Sequence, residues 1–196
     1  MTAARIAALD PSGYRRMPWK NGGGVAIDIA GASRPDSAPG DWNATIWRLS
    51  RTRIETAAPF SDLGGFDRMQ MVVAGRGLVL ETPGGEIDVR EPFTPVRFLG
   101  ETAITSRLEA GPVEVVNLIG DRQRVRIGLQ ALTAGSRIAL NPGTHVLYAP
   151  VEACELRWDG TSHALASGHA LQVDCETTAL VEGRVGRTLI ASVSGL

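Results

Sequence analysis

The sequence predicts an all-β protein. Three observations carry this: helical periodicity is nearly absent, short alternating or apolar runs recur at roughly 8–12-residue spacing, and Gly/Pro signals separate them. At 196 residues the chain can form one large β domain or two small units sharing a core.

The run "WNATIWRLSRTRI" (42–54) alternates as a strand. Ala44, Ile46, Arg48 and Ser50 share one face, and Thr45, Trp47, Leu49 and Arg51 the other. "FDRMQMVVAGRGLVLE" (66–81) reads as two strands around Gly75-Arg76-Gly77, and "TPGGEIDV" contributes a tight turn. In residues 91–120 three prolines accompany two further strand-like runs, which suits edge strands or corners. Beyond "GDRQR" the style repeats in "VRIGLQAL", "SRIAL", "HVLYAP", "CELRW", "HALASGHALQVD", "TALVEG" and "TLIASVSG". "GRGLVLETPGGEIDVREPFTPVRF" and "CELRWDGTSHALASGHALQVD" share an order of strand, Gly-containing turn, strand. This echo predicts two β halves, residues 1–120 and 121–196, meeting near 120–124. The Pro-, Gly-, Ser- and Asp-rich "IAGASRPDSAPGD" (29–41) reads as an exposed loop.

Composition excludes several function classes. A formal charge of −1 provides no long-range field to gather nucleic acid or an anionic bilayer. No apolar run approaches the ~20 residues of a membrane span, and the N-terminal segment lacks a secretory signal pattern. A cytoplasmic location is therefore expected, with Cys154 and Cys175 as reduced, packed thiols. Of twenty basic residues only Lys20 is a lysine, and it lies in "RRMPWKNGGG" (15–24) beside Trp19 and Asn21. A compact ammonium differs from a guanidinium in shape and hydration, so Lys20 is a candidate functional cation.

Familiar catalytic signatures are missing: no G-x-S-x-G, no phosphate-binding G-x-x-x-x-G-K-[ST] and no strand-flanked G-x-G-x-x-G occurs. The three glycines at 22–24 precede "VAIDIA", which alternates as a strand, so no helix-based phosphate site is expected. Asn21-Gly22 is instead a hairpin signal. His145, His163 and His169 are the three histidines, with no ligand-type spacing, and neither a metal nor another cofactor is expected.

What remains is a set of polar residues in phase with apolar strand positions. Arg48 follows Ala44 and Ile46, Arg68 and Gln70 precede Val72, and Asn117 follows Val113 and Val115. An isolated buried charge costs several kcal/mol or more, so such arginines need partners. A one-residue misreading would point them to water; taken together with Trp19-Lys20-Asn21, the set predicts a shared pocket.

The segments "MPWKNGGG" (17–24), "WRLS" (47–50), "PFSDLGGFDR" (59–68), "GRGLVL" (75–80), "PFTPVRFLGE" (92–101) and "GPVEVVNLI" (111–119) resemble the HutD/Ves family of bacterial cupin-like proteins. They fall in the family's order and span about the first 120 residues. The resemblance implies a bicupin: two β-barrel or jelly-roll-like halves of mainly antiparallel strands, metal-free, with homodimerisation through strand edges as an available assembly. HutD-type members accompany histidine-utilisation enzymes and look like binders of small intermediates such as formylglutamate or urocanate; Ves-type members have no settled role. Carried over, the ligand-binding residues are Trp19, Lys20 and Asn21 from the loop, and Arg48, Arg68, Gln70 and Asn117 from strands. This chain departs from the family at Ala26, where Thr or Ser is usual, at Asp28 for Glu, and at Val115-Val116-Asn117 for Asp-Phe-Asn.

The expected function is non-catalytic binding of a small anionic metabolite, with no nucleic acid or membrane partner. The alternative is a metal-independent isomerase, epimerase or hydrolase of a sugar or amino-acid derivative. It needs a general base, and Asp67 should face away from Arg68 while Asp28 is a weak candidate. A structural partner of pathway enzymes would instead present an apolar patch. Arg48, Arg68 and Lys20 are expected to form one anion site.

Overall fold

The structure is a computed structural model and describes residues 4–35 and 40–196. Among these residues β-strands dominate, joined by turns and two short 3-10 helices. In chain order the first ten strands are β1 (Ala4–Leu9), β2 (Arg15–Pro18), β3 (Val25–Ser33), β4 (Thr45–Ile54), β5 (Phe66–Ala74), β6 (Leu78–Thr82), β7 (Gly85–Val89), β8 (Val96–Leu99), β9 (Thr105–Leu108) and β10 (Val113–Asp121). The remainder are β11 (Val125–Thr133), β12 (Arg137–Leu140), β13 (Gly143–Tyr148), β14 (Cys154–Trp158), β15 (Thr161–Leu165), β16 (Ala170–Cys175), β17 (Ala179–Val185) and β18 (Arg187–Gly195).

The chain divides into two compact units. One is Tyr14–Ile127 with Leu196; the other is Gly128–Gly195 with the N-terminal residues through Gly13. The first unit contains a six-stranded antiparallel sheet, ordered β2-β3-β4-β10-β5-β8, and a three-stranded sheet, β7-β6-β9. Their apolar residues form one core: Leu78, Leu80 and Val89 cluster with Ile54, Val72, Phe98, Val113 and Val115. Gly75 and Gly77, both at positive φ, turn the chain from β5 into β6 and so from one sheet to the other.

The second unit pairs a five-stranded sheet, β1-β16-β13-β18-β11, with a four-stranded one, β12-β17-β14-β15. Leu147, Leu171, Val173 and Ile190 of the former cluster with Leu156, Trp158, Leu165 and Val181 of the latter. Cys154 and Cys175 lie in this core as free thiols, and Thr188 Oγ1 donates to Cys154 Sγ at 3.0 Å. The internal echo corresponds to two hairpins, β6–β7 and β14–β15, each in the smaller sheet of its unit.

Three details differ from the sequence reading. Residues 4–13, assigned there to the first half, supply β1, which hydrogen-bonds β16 along its length, from Ala4↔Cys175 to Leu9↔Ala170. The segment 29–41 is not all loop, because β3 continues to Ser33; residues 36–39 lie outside the described residues. Register shifts at Asp28/Ala30 and Ala32/Ser33 break the two-residue period that would have revealed the strand. Residues 91–120 hold three strands instead of two; short, polar β9 (TSRL) is the one without an apolar signature.

Candidate ligand site

The site is built on one face of the six-stranded sheet. Cross-strand register places Asp28 opposite Ser50, Ser50 opposite Asn117, and Asn117 opposite Gln70. The neighbouring row runs Arg48, Ile119, Arg68 and Phe98. Residues directly paired in a sheet point to the same side, so one polar row and one row alternating arginine with apolar side chains line up across its centre.

Six members of these rows, Arg48, Ser50, Arg68, Gln70, Asn117 and Ile119, floor a cavity of about 70 Å³. Arg48, Ser50, Thr52 and Ile54 enter it from β4, Arg68 and Gln70 from β5, and Asn117 and Ile119 from β10. Trp19, Phe60, Ser61 and Leu63 close it from loops, Trp42 from a 3-10 helix and Ala26 from β3.

Arg68 is the unusual group. It is only 8% exposed, and among the described residues no carboxylate forms an ion pair with it. Its guanidinium carbon lies 5.1 Å from the Phe60 ring centroid and 5.0 Å from that of Phe98. Nη2 donates to Asn117 Oδ1 over a long 3.4 Å. Its Nε is buried without a partner, as is Gln70 Oε1. Burial lowers the Arg68 pKa to about 10, which leaves it cationic at neutral pH. Aromatic faces offset part of the desolvation cost but do not replace an anion.

Arg48 is held differently. Its Nε donates to Asp28 Oδ1 at 2.5 Å, and its guanidinium carbon stands 5.0 Å from the Trp42 centroid. Burial raises the Asp28 carboxyl above the ordinary carboxylate range, while Arg48 and more weakly Arg15 pull it back. Asp67, next to Arg68 in sequence, serves other partners, accepting from Arg97 Nη2 at 2.5 Å and Arg122 Nε at 2.8 Å.

The loop between β2 and β3 supplies Trp19. After the last strand pair, Pro18↔Val25, Trp19 N donates to Gly24 O and Gly22 N to Trp19 O, both at 2.9 Å. Gly22 takes φ +71°, the conformation glycine reaches without steric cost. At Gly24 a Cβ would approach the Trp19 ring to 2.8 Å, so the ring packs directly on glycine backbone. Trp19 Nε1 donates to Thr52 Oγ1 at 3.1 Å, and that hydroxyl donates to Val25 O at 2.9 Å.

Of the residues singled out from the sequence, Trp19, Arg48, Arg68, Gln70 and Asn117 meet at this cavity. Lys20 and Asn21 do not. Lys20 Nζ donates to Asp62 O at 3.0 Å, and Asn21 donates through N to Ser61 Oγ and through Nδ2 to Pro59 O. The expected Arg48–Arg68–Lys20 triad is therefore corrected to two arginines, with Lys20 and Asn21 fastening the Trp19 loop to residues 59–62. Trp42, Phe60 and Leu63 were missed. Trp42 opens the run 42–54 read from the sequence as a strand, but Trp42–Ala44 form a 3-10 helix and the strand starts at Thr45; Phe60 and Leu63 sit outside strands, where no periodicity assigns a direction.

Among the described residues no group of three or more His, Cys, Asp or Glu side chains is placed to hold a metal ion. His145 is buried between Ser192 Oγ, 2.8 Å from Nδ1, and Asn141 O, 2.7 Å from Nε2. No helix among these residues is long and apolar enough to cross a membrane.

A HutD family model matches residues 11–190. The chain belongs to the HutD family. It is 33% identical over 157 residues to an uncharacterized 21.2 kDa protein in the hutC 3′ region of Pseudomonas putida, covering 80% of each chain. The solved structure of HutD from Pseudomonas fluorescens SBW25, described as a formate condition, is 28% identical with a TM-score of 0.78, covering 98% of this chain and 100% of that one. A conserved protein of unknown function from Pseudomonas aeruginosa PAO1 is 25% identical with a TM-score of 0.79, covering 97% and 98%. The fold of this HutD-family chain is bicupin-like, all β and mainly antiparallel.

Proposed function

We propose that this HutD-family protein binds a small carboxylate metabolite without turning it over and thereby serves histidine utilisation. The observation that carries the reading is Arg68, a buried guanidinium facing a cavity with no carboxylate paired to it. A carboxylate would supply the missing counter-charge and an acceptor for Arg68 Nε, and each charge-assisted hydrogen bond contributes about 1.5–3 kcal/mol. Among the described residues no Asp, Glu or His lines the cavity, and the nearby Asp28 is engaged by Arg48, which supports binding over acid–base catalysis. The pathway assignment draws on the P. putida relative's position beside hutC and on the name of the P. fluorescens relative. Formylglutamate and urocanate are the metabolites to test.

Calorimetric titration of the wild-type protein with each of these, and with a neutral amide of each, tests the reading. Saturable heat from at least one carboxylate and none from its neutral amide is expected. Heat from neither carboxylate would refute it.

A further inference from the structure

We infer that the cavity accepts a single anionic group, and that Asp28 is the residue that sets this charge. The inference rests on the carboxylate reading above and narrows it. Among the described residues two cations line the cavity, Arg48 and Arg68, and the other lining residues are neutral. They are not equivalent. Arg48 carries its own counter-ion, the Asp28 carboxylate at 2.5 Å, with both side chains largely withdrawn from water at 12% and 21% exposure. Arg68 has none.

Charge therefore sums to one uncompensated positive charge at the cavity. Arg15, directly opposite Asp28 in the β2–β3 register, does not alter the sum, because it is exposed and is not part of the lining; water screens it. One carboxylate neutralises Arg68. A second inside the same small, partly apolar space would meet an arginine already neutralised by Asp28 and would be desolvated without compensation. The ligand class is thus a monocarboxylate, or a larger acid that inserts one carboxylate and keeps any other in solvent. Asp28 acts through Arg48 and is a positioning residue that excludes a second negative charge.

Succinamate and succinate differ only in whether the second end is an amide or a carboxylate. Calorimetric titration of wild type is expected to show succinamate binding at least as tightly as succinate. Asp28→Asn leaves two uncompensated arginines, and the succinate-to-succinamate affinity ratio should rise by about tenfold or more. Asp28→Asn combined with Arg48→Gln restores one net charge and should return the ratio to the wild-type value, an outcome that mere loss of packing would not produce. If Asp28→Asn does not fold, Asp28→Ser removes the same charge with a smaller side chain and should raise the ratio likewise. A wild-type preference for succinate, or a ratio unmoved by either substitution, overturns the inference while leaving the carboxylate reading intact. Absence of binding by both ligands also overturns the inference, whereas the carboxylate reading stands or falls on the titrations with formylglutamate and urocanate.

Discussion

Arg68 Nη2 reaches Asn117 Oδ1 at 3.4 Å, across adjacent strands of one sheet. At that length the bond is weak. A neutral amide oxygen is what a buried guanidinium receives here, where Arg48, Arg51, Arg90, Arg107 and Arg122 each receive a carboxylate. The chain thus pairs many of its arginines with acids, and among the described residues the buried Arg68 has none.

Gly24→Ala tests the support of Trp19. The added methyl would lie 2.8–2.9 Å from three atoms of the indole, and the ring or the loop must move. Overpacking of this kind costs about 1–3 kcal/mol. A lower thermal midpoint and altered indole fluorescence are expected; an unchanged midpoint would mean that the ring does not rest on this backbone.

Lys20→Met and Asn21→Ala separate fastening from charge. Lys20 donates its hydrogen bond to a backbone carbonyl outside the cavity, so Lys20→Met should change carboxylate affinity by less than about threefold, under 1 kcal/mol. Asn21→Ala removes its side-chain bonds to Pro59 O and Gly23 N and should destabilise by roughly 0.5–1.5 kcal/mol per bond, nearer the lower figure on an exposed loop. Thermal melts and titrations of both variants decide. A large affinity loss in Lys20→Met would return Lys20 to the anion site.

His145 sets a pH dependence. Burial depresses its pKa below the ordinary histidine value, partly offset by Asn141 and Asp174. The unfolded chain therefore binds the proton more readily, and stability from this residue is full above about pH 6.5 and lost as pH falls below it. Melts between pH 8 and 5 should show the midpoint falling through this window. His145→Gln should flatten that part of the profile, and an identical slope in the variant would exclude His145 as its source.

Much of the site floor was legible because strand alternation assigns directions: Arg48, Arg68, Gln70 and Asn117 all fall on the face that their two-residue period indicates. Pairing was not legible. Asp28 and Arg48 are twenty residues apart in sequence and meet only through the β3–β4 register, which contains a bulge. Loop side chains were least legible, since nothing periodic distinguishes Trp19, which turns inward, from Lys20 and Asn21, which turn to residues 59–62. Strand β1 was assigned to the wrong unit for a related reason. Sequence proximity favours the first half, whereas its partner β16 lies more than 160 residues away.

Arg68→Met, which keeps the stem's volume and removes the charge, tests the carboxylate site most directly. A buried cation without a counter-ion destabilises the empty protein, so the variant's thermal midpoint should equal or exceed that of wild type. The rise in midpoint that wild type shows on adding its carboxylate ligand should disappear in the variant. A variant that melts far lower, yet keeps the full ligand-induced shift, would show that Arg68 is a structural residue and contradict the carboxylate site.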